Sequence, residues 1–375
     1  MSESIQDIPL DHGRPGTRRH LRVHRFGNPG AGPKAYVQAG LHADETPGHL
    51  VARHLLDGLR AADAEGRVRG EVVLVPCANP IGLDQVLHGS LSGRFELATG
   101  TNFNRAYADL AAAAGRVAGR LGMDAAENVR ILRAALAEAA AGLPVATEAE
   151  SLRRHLLSLA IDADVVLDLH CDAEAVLHLY TGTELWPDAA DLAAETGCRA
   201  VFLASESGGE PFDEACSGVW WRMRRLLPSH VPVPAACLAA TLELRGKSDV
   251  DDGLAAADAA ALLRFLARRG VLAGDPGPLP PLQCEAAPLA AVFRVRAPEA
   301  GILVHKAALG DRVAAGAVVA EVVDPVTGER HACRAGVEGL VWARARDRFC
   351  GAGDVVASIA GREPLVPEGA KLLNA

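Results

Sequence analysis

His42 and Glu45 stand three residues apart in QAGLHADETPG (residues 38–48), behind an apolar run and ahead of a stretch with helical spacing. An imidazole and a carboxylate so placed, with Asp44 between them, have two readings. One is a polar loop that starts a helix; the other is half of a metal site. His-x-x-Glu alone is more often the first, so the rest of the chain must decide. Two further apolar runs end in the same manner: DVVLDLHCD carries His170 at its end, and TLELRG carries Glu243. In open α/β sheets ligands bind at the carboxyl ends of the strands, so strand-end residues far apart in sequence can share one pocket. Two histidines and a carboxylate leave zinc an open fourth position, the catalytic rather than the structural arrangement. Asp168 has the strand phase of His170 and is suited to accept a hydrogen bond from the distal nitrogen of a ligating histidine.

Hydrolysis at such a centre needs a base for the attacking water, a cation for the oxyanion and an anchor for the substrate. Glu243 suits the base, since a carboxylate near zinc can take a proton from water and pass it to a leaving amine. Arg94 in SGRFE, and Asn104 with Arg105 in TNFNRAY, supply positive charge and hydrogen bonds. An arginine fork beside an amide matches a carboxylate. NFNR by itself reads as a turn with helix capping; its place in the ordered set favours the site.

The elements that must hold these residues alternate over the first 270 positions. KAYVQAGL reads as a strand, TPGHLVARHLLDGLRAA as a helix and EVVLVPCANP as a strand with a turn. Residues 106–160 read as two or more helices, and ADVVLDLHCD, AVLHLYTG, AVFLASES and AACLAATLELRG as strands. Near-continuous apolar strands between helices predict an α/β layer whose sheet is buried on both faces. After a helix in DDGLAAADAAALLRFLARRGVL, the Pro/Gly cluster AGDPGPLPPLQ predicts a linker at about 274–283. Beyond it the pattern becomes short strands and glycine turns, with GDRVAAG echoed by RFCGAGDVV. The expected organisation is therefore a catalytic domain over residues 1–275 and a small all-β domain over 284–375.

Net charge is −9, from 38 basic and 47 acidic residues, which disfavours a general polyanion binder such as a nucleic-acid protein. A small anionic substrate needs only one or two arginines and stays open. MSESIQDIPLDHGRPGTRRH lacks the apolar segment of a signal peptide, no run is long enough to span a membrane, and the eight cysteines lack CxxC spacing. These features predict a cytoplasmic, non-membrane protein with reduced thiols. The oligomeric state is open, a homo-oligomer with two-fold symmetry being the commonest arrangement.

The ordered set His42-x-x-Glu45, Asn79-Pro80, Arg94, Asn104-Arg105, DLH at His170 and TLELRG at Glu243 resembles the succinylglutamate desuccinylase/aspartoacylase family, a branch of the zinc carboxypeptidase-like hydrolases. The resemblance implies a mixed sheet flanked by helices, with one zinc ion held by His42, Glu45 and His170. It implies Glu243 as the catalytic carboxylate, Arg94 polarising the scissile carbonyl, and Asn104 and Arg105 holding the substrate carboxylate. The implied substrate is an N-acyl amino acid or related small amide. Two departures stand out: Asn102-Phe103-Asn104-Arg105 replaces the usual Asp-Leu-Asn-Arg, and the stretch from Arg94 to Arg105 is longer than usual. Glu243-Leu244-Arg245 is nearer the carboxypeptidase version of its motif, which keeps a peptide-acting hydrolase as the alternative. A non-catalytic metal-binding protein with a relic site is the third reading; retention of ligands, base and arginines together argues against it.

Other conspicuous residues have plainer readings. His49, His54 and His88 are expected at the surface or in helix packing, His178 in the core, and Trp220 and Trp221 on an amphipathic helix. Cys171 should face away from His170 by strand alternation. The C-terminal segment resembles biotinyl/lipoyl-like domains, but its hairpin turn DPVTGER carries no lysine and Lys306 lies too early. Carrier function is thus excluded, leaving a structural role, as a roof over the site or an oligomer contact.

Overall fold

The computed structural model describes residues 3–367 and 371–372. Nine strands form the main sheet, in the spatial order Ser4–Pro9, His20–Gly27, Glu71–Val75, Lys34–Ala39, Val165–Asp172, Leu238–Gly246, His178–Thr181, Ala200–Leu203 and Ala286–Pro288. The four strands from Glu71–Val75 to Leu238–Gly246 are parallel, and antiparallel pairings flank them at His20–Gly27 and His178–Thr181. The architecture is mixed α/β, as expected.

Strand alternation sends Ala35, Val37, Leu167 and Leu169 to one face and Tyr36 and Val166 to the other. The first face is covered by the helices Pro47–Ala64 and Asp252–Arg268 through Val51, Leu55, Leu262 and Phe265. The second is covered by Ala125–Ala141, Glu148–Ala160 and Phe212–Leu226 through Leu132, Leu136, Leu152, Leu156, Val219 and Trp220. A sheet buried on both faces explains why its central strands read as unbroken apolar runs. It also makes a polar residue in such a run conspicuous, because burial without a partner is costly.

The C-terminal strands form two smaller antiparallel sheets. One contains Val292–Arg296, Val355–Ala360 and Gly339–Arg344; the other contains Arg330–Arg334, Val318–Val323 and Gly301–His305. Their shared core includes Val295, Leu303, Val322, Val341 and Ile359. Ala286–Pro288 belongs instead to the main sheet, pairing with Ala200–Leu203, so the chain leaves the larger layer only after residue 288. The small unit docks on the large one: Ala343 and Arg344 pair with Ala175 and Glu174, and Glu174 takes ion pairs from Arg344 at 2.6 Å and Arg348 at 2.7 Å. Trp342 packs at the same junction, its ring centroid 4.7 Å from that of His178 and 4.8 Å from that of Phe202. Among the described residues no helix is long and apolar enough to cross a membrane.

Candidate metal centre and its pocket

The turn between Lys34–Ala39 and Pro47–Ala64 carries His42 and Glu45. Gly40 opens it at φ +70°, and a Cβ there would lie 2.0 Å from His49 Cε1. Only glycine combines that backbone with the imidazole packed against it. His49 is accordingly a packing residue, its Nδ1 3.0 Å from the carbonyl of Pro76. At Gly48 the helix start lies so close to the neighbouring strand that a Cβ would be 3.0 Å from the Leu169 carbonyl. This approach brings Glu45 to the end of the Val165–Asp172 strand, where its Oε2 accepts from Cys171 N at 3.2 Å.

His170 and Glu243 are direct register partners on adjacent parallel strands, as are Asp168 and Thr241. The phase is the same for all four, on the face of Val166, while Cys171 turns to the opposite core. Glu45 bridges the two imidazoles, Oε1 lying 2.9 Å from His42 Nδ1 and Oε2 2.8 Å from His170 Nδ1. His42, Glu45 and His170 are all buried, and their ligand atoms lie within 4.8 Å of one another, so they could hold a metal ion.

The far nitrogens of both rings are also engaged. Asp168 Oδ2 lies 2.9 Å from His170 Nε2, the position its strand phase suggests, and Asn102 Oδ1 lies 2.8 Å from His42 Nε2. Both anchors are fully or almost fully buried. Asn102 bonds the distal nitrogen of His42, Asp168 sets its negative charge beside that of His170, and both Nδ1 atoms face Glu45, which fits a metal-ligating pair. Asn102 escaped the sequence reading, although its signal was present: it stands where the resembled family usually has aspartate, another oxygen donor.

Arg94 reaches the same cluster, Nη1 donating to Glu45 Oε1 at 3.1 Å. The extra residues between it and Arg105 form an excursion closed by a Phe95–Asn102 bridge, and Phe103 N donates to the Arg94 carbonyl at 3.1 Å. The longer stretch therefore loops outward without removing Arg94 from the site. Asn104 is held mainly by the fold, its Oδ1 accepting from Phe212 N at 2.9 Å at the start of Phe212–Leu226. Arg105 is buried against Gly209, where a Cβ would lie 2.7 Å from its Cδ.

His42, His170, Glu243, Arg94, Asn104 and Arg105 line one cavity of about 380 Å³, which also takes in Asp213, Glu214 and Thr241. From beyond residue 288 come Leu289, Arg294, Arg296, Trp342 and Val355, so the C-terminal unit forms part of the wall. His178 is buried and packs on Trp342, while Trp220 and Trp221 are core residues. The acidic pair was not visible in sequence, because it forms no motif with the metal-type residues; the C-terminal wall matches the roof that was one of the two structural roles expected for that segment.

Charge is distributed unevenly. Burial opposes ionisation of Glu45, but His42 and His170 outweigh it and hold its pKa well below the usual carboxylate range. Burial likewise opposes charge on His170, yet Asp168 and Glu45 outweigh it and raise its pKa well above the usual value. Glu243 is pushed up to about 8 by burial and then by the charge on Glu45. A divalent cation would reverse that last shift by adding positive charge beside the carboxylates.

The chain matches the succinylglutamate desuccinylase/aspartoacylase catalytic domain over residues 31–269. No match is found among curated proteins. Among solved structures, a succinylglutamate desuccinylase/aspartoacylase family protein from Shewanella amazonensis is 26% identical, with TM-score 0.82 over 95% of this chain and 98% of that one. A counterpart from Shewanella frigidimarina is 24% identical, with TM-score 0.82 over 96% and 98%. The product-bound ectoine utilization protein EutE (DoeB) from Ruegeria pomeroyi is 20% identical, with TM-score 0.69 over 96% and 95%.

Proposed function

Since this chain belongs to the succinylglutamate desuccinylase/aspartoacylase family, we propose that it is a zinc-dependent deacylase acting on the amide C–N bond of a small N-acyl amino acid. The observation that carries this reading is the convergence of His42, Glu45 and His170 with Glu243 in register beside His170. When bound, zinc would supply Lewis acidity toward the scissile carbonyl and the attacking water. Glu243 takes the proton of that water and returns it to the leaving nitrogen. Arg94 offers positive charge to the carbonyl oxygen as negative charge builds there. Arg105, with Asn104 shaping the loop beside it, holds the substrate carboxylate. Asp168 and Asn102 keep the two imidazoles in a fixed orientation.

The size of the cavity and its wall of C-terminal residues support a small amide over a peptide lying in an open groove. The deciding experiment is amine release by the zinc-loaded protein from N-acetyl, N-succinyl and N-formyl amino acids and from dipeptides, with Glu243→Gln as the blank. Turnover confined to the N-acyl compounds supports the deacylase. Cleavage of dipeptides alone would move the chain to the peptidase reading, and silence throughout would favour a relic metal site.

A further inference from the structure

Arg105 and Asp213 present opposite charges to the same cavity without neutralising each other. Arg105 is 9% exposed, its Nε has no hydrogen-bond partner, and its one side-chain bond is Nη1 to the Asn104 carbonyl at 2.7 Å. Among the described residues it makes no ion pair. Asp213 is 7% exposed and opens the first turn of Phe212–Leu226, beside Glu214. Neither acid has an ion-pair partner among the described residues: the Asp213 carboxyl is met only by the neutral Glu214 N–H and Thr241 hydroxyl, and Glu214 only by Ser207, whose N donates to its Oε1 at 2.8 Å. Acidic residues near the first turn stabilise a helix start, but that role does not need their burial in a cavity. Removing an ion from water without giving it a counter-charge is strongly unfavourable. Two such charges of opposite sign would be expected to collapse together unless something else is to be held between them.

Burial and then Arg94 lower the pKa of Arg105, and Asp213 is the first charge that opposes them. Asp213 is pushed up to about 6 by burial and then by Asp168, and Glu214 up to about 7 by burial and then by Asp213. Both acids lack a cation among the described residues, and both line the cavity.

We propose that Arg105 and Asp213, supported by Glu214, form a subsite for a free α-amino acid head, the carboxylate on Arg105 and the ammonium on Asp213. This rests on the deacylase reading and narrows its substrate class. An Nα-acyl amino acid has a neutral amide where Asp213 requires a cation. The amide that is cleaved must then lie on a second amine, so the substrate is an ω-N-acyl diamino acid. Water adds to its acyl carbon, the C–N bond breaks, and the products are a carboxylic acid and the free diamino acid.

The test uses the zinc-loaded protein and matched compounds: Nδ-acetylornithine, its desamino analogue 5-acetamidopentanoate, and Nα-acetylornithine, with shorter and longer homologues. The expected result is a kcat/KM for the ω-acyl compound about 30-fold or more above its desamino analogue, as for a charge-assisted hydrogen bond in a desolvated site. Asp213→Asn should cut that discrimination about ten-fold or more, and Glu214→Gln less. Equal turnover of the desamino analogue, or turnover only of the Nα-acyl compound, overturns the subsite while leaving the deacylase in place. Calorimetric binding of ornithine against 5-aminopentanoate separates the two readings. Tighter binding of ornithine without any turnover supports the subsite and refutes the deacylase, whereas equal binding refutes the subsite. Should Asp213→Asn fail to fold by circular dichroism, the comparison of compounds on the native protein still decides.

Discussion

Asp168→Asn changes one atom in the wall of the proposed metal centre, and its effects can be worked out in sign and size. Asp168 is fully buried, with Oδ2 2.9 Å from His170 Nε2. Its negative charge beside the distal nitrogen makes the imidazole a better metal donor. Loss of such a partner weakens metal binding by about 10- to 100-fold, which is about 1.4–2.7 kcal/mol. The pH dependence has a sign. In the metal-free protein, burial opposes charge on His170, but Asp168 and then Glu45 outweigh it and raise the pKa well above the usual value. A metal must displace that proton, so affinity falls as pH drops below the raised value. Without the Asp168 charge, His170 loses its proton at lower pH and the competition weakens. The affinity gap between the two proteins is therefore widest at alkaline pH and narrows toward acid.

Metal-free stability runs the other way. A raised folded-state pKa contributes stability that is fully present below the unfolded value of about 6.5 and is lost as pH rises through the folded value. The difference in Tm between the metal-free native protein and the variant should thus be largest in acid and shrink as pH rises. The assays are zinc competition against a chromophoric chelator and thermal unfolding, each across pH 5.5 to 9. An affinity within two-fold of native at pH 8.5, or gaps that move together with pH, would refute the reasoning.

Other expectations bear on the base, the anchor and the scaffold. Glu243→Gln should keep its metal content while kcat falls about 10²- to 10⁴-fold. Because a cation lowers a carboxylate pKa that burial and Glu45 had pushed up to about 8, the acid limb of the native kcat/KM profile should lie below pH 8; a limb at 8 or above would contradict this. Arg105→Lys should raise KM about ten-fold or more, since an ammonium cannot reproduce the fork, and an unchanged KM would remove Arg105 as the anchor. Gly40→Ala places a Cβ 2.0 Å from His49 Cε1 at φ +70°. A loss of about 2 kcal/mol or more in urea unfolding follows from strain and overpacking together, and an unchanged midpoint would deny the close contact. Trp342→Ala empties the junction with Phe202 and His178 and should cost about 3–5 kcal/mol while raising KM. A stability loss with KM unchanged would mean that the C-terminal wall does not shape the pocket.

The sequence by itself determined the layers and the identity of the metal-type residues. Unbroken apolar strands require a sheet covered on both faces, and in such strands Asp168, His170 and Glu243 stand out because polar burial demands a purpose. Strand phase alone placed Asp168 with His170 and turned Cys171 away. Tertiary structure decided what periodicity does not encode. Asn102 reaches His42 across 60 residues because the 94–105 excursion folds back on itself, and no local pattern specifies that return. Asp213 and Arg105 share a cavity because Asn104 ties its loop to the start of a helix more than a hundred residues away. Trp342, Arg294 and Arg296 join the wall because a short pairing at Glu174–Ala175 fixes the small unit against the large one. Side-chain type and spacing report the chemistry available along one strand or turn; which charges are left facing each other across a pocket depends on how whole layers close.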